Sequence, residues 1–117
     1  MKIYSYTSVC TKVLDGDTLV FEPLDLGNDV FLSKAVLRLD GVNCPETRTK
    51  NPAEKKAGLA AKKFVKDLVE GKEIRFDSLR KEKFGRMLGI AYTPDGQNLN
   101  ELLLKKGFAK EYHGEKR

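Results

Sequence analysis

The apolar pattern of this chain changes period at Asn51, and that change limits what the chain can fold into. From there Ala57, Ala60, Ala61, Phe64, Val65 and Leu68 recur at three- and four-residue spacing, the stripe of an amphipathic helix. Asn51 is placed to cap it, Pro52 suits the first helical position, and Glu54 stands where a capping-box acid belongs. Gly71 stops it, because glycine takes the left-handed conformation that closes a helix. One helix over residues 52–69 is predicted, with the rest of the chain folded against its alanine-rich face.

The rest is short and extended. Residues 2–14 alternate imperfectly, with Ile3, Val9, Val13 and Leu14 pointing inward, as one or two strand segments. Asp15-Gly16 is a turn, and Thr18 to Phe21 is a strand. Leu24 to Val30 is a polar loop or hairpin tip, and Phe31 to Leu39 is a third strand. Gly41 to Lys50 is irregular around Pro45. Glu73 to Asp77 and Met87 to Tyr92 supply the fourth and fifth strands, the latter ended by the turn Thr93-Pro94-Asp95-Gly96. Asn98 caps a short helix that uses Leu99, Leu102 and Leu103 and stops at Gly107; residues 108–117 form a polar tail. Five strands, a long helix between the third and fourth and a short one after the fifth suggest a five-stranded β-barrel of the OB-fold type. Strand count alone also allows other small α+β folds. With 117 residues, a single domain spanning 1–117 is expected.

Charge narrows the function. The formal net charge is +5, and it is unevenly spread. Leu14 to Ser33 holds five acidic residues (Asp15, Asp17, Glu22, Asp25, Asp29) and no Lys or Arg, while Arg48 to Lys63 holds six basic residues against one acidic. Arg80 to Arg86 carries +3, as does the tail from Lys105. Carboxylates ringed by positive charge suit a metal site that must also attract a polyanion; a solubilising surface would have the same composition. Cys10 and Cys44, the only cysteines, read as free thiols, and with one histidine, His113, a structural zinc site is not expected. The N-terminus reads as a strand and not as a signal peptide, and no segment is long enough to span a bilayer. A cytoplasmic monomer is the expectation.

Several segments together resemble the staphylococcal nuclease (thermonuclease-like) family. They are Val13-Leu14-Asp15-Gly16-Asp17-Thr18, Leu37-Arg38-Leu39, Val42-Asn43-Cys44-Pro45-Glu46-Thr47 and Lys83-Phe84-Gly85-Arg86, with Asn100-Glu101 and Lys106-Gly107-Phe108-Ala109 resembling the closing segment. The resemblance covers roughly residues 9–112. It implies an OB-fold, calcium-dependent phosphodiesterase acting on DNA and RNA with little base specificity. By that resemblance Asp17 is the first metal aspartate, Arg38 and Arg86 bind the phosphate, Glu46 positions or activates water, and Lys83 lies near the nucleotide. Three positions depart from the pattern. Asn43 stands where a second metal aspartate is common, with Cys44 where a threonine is, and Phe84 replaces a tyrosine.

The chemistry suits those residue types. Phosphodiester hydrolysis needs a water held in line, neutralisation of charge on the phosphoryl oxygens, and help for the departing oxygen. Asp17, just after a tight turn, presents a rigid carboxylate to a hard cation such as Ca²⁺; Asn43 still offers an amide oxygen, without formal charge. Glu46 follows Pro45, which stiffens its loop. Arg38 sits among Val36, Leu37 and Leu39, where a charge needs a partner, and its planar fork fits two phosphate oxygens. The alternative reading pairs each arginine with a nearby carboxylate such as Asp40 or Glu82. Lys81, Lys83 and Phe84 form a phosphate-and-base patch, and Tyr112 is placed to stack on a base. The competing expectation is a non-catalytic OB module that binds single-stranded nucleic acid, and Asn43 favours it.

Overall fold

The structure, a computed structural model, describes residues 3–81 and 86–112, with Lys81 described for its backbone alone. Its strands are β1 (Tyr4–Val9), β2 (Lys12–Asp15), β3 (Thr18–Phe21), β4 (Leu24–Gly27), β5 (Val30–Leu32), β6 (Ala35–Leu39), β7 (Val42–Asn43), β8 (Glu73–Lys81), β9 (Met87–Ala91) and β10 (Lys110–Glu111). The helices are α1 (Pro52–Val69) and α2 (Leu99–Lys105). Among the described residues, no helix is long and apolar enough to cross a membrane.

The main sheet runs in the order β1-β8-β9-β6-β3-β2. Its two end strands, β1 and β2, are successive pieces of one segment, separated only by Cys10 and Thr11. The chain therefore joins the two edges of the sheet, and the sheet must curl on itself. Backbone bonds hold the bend: Cys10 N–H donates to the Lys72 carbonyl and Thr11 N–H to that of Val20. Counting β1 and β2 as one bent strand gives the expected five-stranded OB barrel, closed by the parallel β6–β9 pair. Leu19, Phe21, Leu37, Leu39 and Phe76 fill its interior, with Phe21 and Phe76 rings 4.7 Å apart. Each such side chain contributes about 1.5–3 kcal/mol on burial.

α1 keeps its expected bounds. The Asn51 side chain accepts from the N–H groups of Ala53 (3.0 Å) and Glu54 (3.2 Å), satisfying two donors of the first turn. Gly71 follows it at φ 78°. The buried face differs from the expected one. Gly58, Ala61, Val65 and Val69 are buried, Phe64 and Leu68 pack partly against the core, and Ala57 and Ala60 are exposed. The cause is Gly58, where a Cβ would lie 2.5 Å from the Glu46 carbonyl oxygen. The missing side chain lets the helix backbone rest on the loop 44–47, and that contact sets the helix's rotation.

Two other boundaries move. Phe31 and Leu32 belong to a β4–β5 hairpin and not to the strand that follows, because the chain breaks at Ser33-Lys34 before β6 begins. β8 runs on to Lys81, four residues past the alternating stretch, with a register shift between Ser78 and Arg80. In the tail, Lys110 and Glu111 pair with Asn43 and Val42.

Candidate functional site

The barrel brings four separated segments to one rim. The turn between β2 and β3 delivers Asp15 and Asp17, β6 delivers Arg38, the loop after β7 delivers Glu46, and the start of β9 delivers Arg86. Gly16 makes the first placement possible: a Cβ there would lie 2.9 Å from both the Ala61 Cβ and the Cys44 Sγ. The turn is thus pressed against α1 and the loop at once.

Asp17 is 3% exposed and Arg38 6%, so this is a buried pair. Asp17 Oδ1 accepts from the Thr18 hydroxyl (3.0 Å), and Oδ2 accepts from the Cys44 N–H (2.8 Å). Arg38 Nη1 stands 3.4 Å from Asp17 Oδ2 and donates to the Leu39 carbonyl at 2.8 Å. The carboxylate expected to hold metal is thus itself an ion-pair partner of Arg38. Strand register explains it: Thr18 lies opposite Arg38 across β3–β6, so Asp17 meets the guanidinium at the strand end. Removing either partner would leave a buried charge uncompensated, which costs about 3–5 kcal/mol. The Arg38 guanidinium also lies 5.8 Å from the centre of the Tyr112 ring, and the Tyr112 N–H donates to the Gly41 carbonyl at 2.9 Å.

Glu46 and Arg86 are exposed and line one open cavity of about 430 Å³ together with Asp15, Thr18 and Arg48. The loop carrying Glu46 is tied down by the Thr47 hydroxyl, which donates to Asp15 Oδ1 at 2.7 Å. On its other side Glu46 borders a second cavity, of about 600 Å³, with Asn43, Pro45, Phe108 and Lys110. The Asn43 Oδ1 is buried and has no hydrogen-bond partner among the described residues. An unmet buried carbonyl oxygen is costly unless a donor or a cation takes it up. It stands one residue along the chain from the amide that binds Asp17. Among the described residues no three His, Cys, Asp or Glu side chains converge on a metal position. The Asp17 carboxylate and the Asn43 amide oxygen are of the chemistry that a hard cation takes, a donor set of low charge.

The nucleotide-contact patch is only partly visible. Lys83 and Phe84 lie outside the described residues, and the described backbone of Lys81 pairs with Met87. Both cysteines are buried, and neither is in a disulfide. Burial pushes the Cys10 thiol up from 9.0 to about 11, so it stays protonated at neutral pH.

Three supporting residues were not legible as such. Asn100 is buried; its amide donates to the carbonyls of Asp40 (2.8 Å) and Gly89 (3.1 Å), and its oxygen accepts from the Ala91 N–H (3.2 Å). It clamps the turn before β7 to β9. A polar residue between apolar helix positions was the available signal. Arg48 stands in the sequence only as part of a basic run, and Gly58 gives no signal there.

The family model described as staphylococcal nuclease homologue matches residues 36–117, a span that holds Arg38, Asn43, Glu46 and Arg86 but not Asp17. An uncharacterized endonuclease of Escherichia coli O157:H7 is 32% identical over 118 residues, covering 94% of this chain and 68% of that protein. The thermonuclease of Staphylococcus intermedius is 32% identical over 101 residues, covering 85% of this chain and 55% of that protein. Endonuclease YhcR of Bacillus subtilis (strain 168) is 30% identical, over 92% of this chain but 9% of that protein.

Proposed function

This chain belongs to the staphylococcal nuclease homologue family, and from that premise we propose that it hydrolyses phosphodiester bonds of DNA or RNA with calcium and little preference among bases. The observation that carries the proposal is the shared wall of Glu46 and Arg86 in one open cavity, which is also lined by Thr18, the chain neighbour of Asp17 and the strand partner of Arg38. A carboxylate near a phosphate impedes binding unless positive charge faces it, and here Arg48 and Arg86 line the same cavity.

In this reading the phosphate enters between Glu46 and Arg86. The Arg86 guanidinium donates to the non-bridging oxygens, its fork matching their spacing. Glu46 orients a water for in-line attack on phosphorus and takes its proton as the new P–O bond forms. The opposite P–O bond breaks, and the departing oxygen is protonated from solvent. Arg38, fixed by Asp17 and the Leu39 carbonyl, adds positive charge beneath the phosphate. Tyr112, beside Arg38, offers a ring to an adjoining base. Calcium, when bound, would be held by Asp17 and Asn43 and would supply charge to the phosphoryl oxygens and the nucleophilic water. The substrate proposed is single-stranded or flexible nucleic acid, because the phosphate must reach the cavity without a duplex partner in the way. All the residues invoked come from one chain, so a single copy suffices.

Cleavage of single-stranded DNA with Ca²⁺, Mn²⁺ or Mg²⁺ in turn, with EDTA as control, tests the activity. Arg86→Lys tests the mechanism: charge is kept and the fork lost. Turnover should fall by about 10²-fold or more while substrate affinity changes little. Equal turnover in both proteins would remove Arg86 from the reaction. One observation favours the second reading, a nucleic acid binding module without turnover: Asp17 already accepts from Thr18 and Cys44 and pairs with Arg38. Tight binding of single-stranded DNA with no cleavage under any of the three cations would establish it.

A further inference from the structure

The hairpin of β4 and β5 stands apart from the barrel sheet as a two-stranded sheet of its own. Its tight end carries three successive residues at positive φ, Gly27 (90°), Asn28 (54°) and Asp29 (61°). Leu24 lies opposite Leu32, and Asp25 opposite Phe31. Leu24 is fully buried, which anchors β4, but Val30, Phe31 and Leu32 on β5 are 54%, 55% and 45% exposed. A strand lying on a core buries one of its faces; here residues of both faces are in water. Among the described residues the outer edge of β5 has no strand partner either. Soluble proteins usually blunt such an edge with charge, proline or a bulge; the register irregularity of this hairpin falls on β4, between Asp25 and Gly27, and Val30-Phe31-Leu32 itself carries no charge or proline.

We propose that this edge is a self-association surface, on which β5 of a second copy pairs antiparallel with β5 of the first. The occupant follows from the order of residues along the edge. A two-fold related pair of antiparallel strands must place one residue opposite its own copy. Centred on Phe31, the register sets Phe31 against Phe31 and Val30 against Leu32, so every apolar residue meets another. Centred on Val30 it would set Phe31 against Asp29, and centred on Leu32 it would set Phe31 against Ser33. With Phe31 central, the turn that ends at Asp29 of each copy comes to the end of the strand where Ser33 and Lys34 of the other leave it, bringing opposite charges near each other at both ends. The segment thus complements itself in apolarity and in charge. An aromatic pair and two Val–Leu pairs supply the attraction.

Three residues and their flanks bury far less than the roughly 800 Å² per partner of a standard interface. The dimer is therefore weak and concentration-dependent. No residue placed in the cavity of Glu46 and Arg86 lies on β5, so the inference is independent of the nuclease reading, and dilute activity should not depend on it.

Sedimentation equilibrium of the full chain from about 1 µM to about 1 mM reads the association. The wild type should move from monomer to dimer across that range. Phe31→Lys should raise the dissociation constant at least about tenfold, whereas Phe31→Leu, which keeps an apolar centre, should change it much less. Because Phe31 is exposed, neither variant should alter the thermal unfolding of the dilute monomer. Register is tested by mild oxidation of Phe31→Cys and, separately, Lys34→Cys. The first should form an intermolecular disulfide and the second should not, while the buried Cys10 and Cys44 stay reduced. A wild type that stays monomeric throughout, a Phe31→Lys variant that associates as well as wild type, or equal cross-linking of the two cysteine variants would each overturn the proposal.

Discussion

At the scale of single residues, Asn43 is the position where chemistry and sequence pull apart. Its buried Oδ1 lacks a hydrogen-bond partner among the described residues, so the fold already carries the cost of an unmet acceptor. Replacing it with aspartate keeps the shape and adds a charge that a cation can neutralise. Without metal, the new carboxylate should lower the melting temperature, because a buried charge lacks compensation. With Ca²⁺, the same charge should tighten binding, and half-maximal cleavage should come at about tenfold lower Ca²⁺. The rise in melting temperature on adding Ca²⁺ should therefore be larger for Asn43→Asp than for wild type. Identical calcium-dependent shifts in the two proteins would place Asn43 away from the ion. Residue identity was readable from the chain in this region, but pairing was not. Arg38 in an apolar strand signalled a need for a partner, yet only the β3–β6 register reveals that the partner is Asp17. The tie from Thr47 to Asp15 spans 32 residues, and nothing local to either one announces it.

At the scale of elements, α1 was the most legible part of the chain, since a cap, a stripe and a stop agree on its bounds. Its rotation was not legible. The apolar stripe pointed to Ala57 and Ala60, because a pattern scores side chains and gives no weight to a glycine. Yet Gly58 sets the contact: its absent Cβ is what lets the helix lie on the carbonyls of Pro45 and Glu46. Gly58→Ala separates two opposing effects. Helix propensity alone would stabilise by about 1 kcal/mol, whereas a Cβ 2.5 Å from one backbone oxygen and 2.9 Å from another forces the loop away. Overpacking of this kind costs about 1–3 kcal/mol, so urea unfolding should show net destabilisation despite the better helix former. Because the displaced backbone is that of Glu46, turnover should also fall while substrate affinity is largely kept. A variant more stable than wild type with unchanged turnover would mean that the helix does not hold the loop. The β4–β5 hairpin is legible only as a loop or hairpin tip over Leu24 to Val30: Phe31-Leu32 looks like the start of the next strand, and only a break at Ser33-Lys34 assigns it to the hairpin.

At the scale of the whole molecule, charge was legible in the sequence as segments, and the fold decides which charges work together. Gly58 rests on the Glu46 loop, so the first turns of α1, which carry the exposed Lys55 and Lys56, lie next to that loop. Arg48 lines the cavity itself. Lys63, counted with them in the basic run, is differently placed. It bonds Asp67 at 2.9 Å, and that carboxylate raises its pKa, so much of its charge is answered within the helix. A polyanion held by the unanswered lysines releases their counterions, which makes affinity fall with salt by about 0.7 log units per log unit for each single-strand phosphate contacted. Titrating single-stranded DNA from about 50 to about 200 mM salt, with EDTA present to prevent cleavage, reads that slope. Lys55→Ala with Lys56→Ala should reduce it by about 1.4, two contacts' worth, whereas Lys63→Ala should leave it nearly unchanged. The sequence should matter little, because phosphates are the same whatever bases they join. Equal slopes for all three proteins would make the face of α1 a solubilising surface and confine recognition to the cavity of Arg48, Glu46 and Arg86. A larger effect from Lys63 than from Lys55 and Lys56 would show instead that the strand crosses the far end of the helix, away from Glu46.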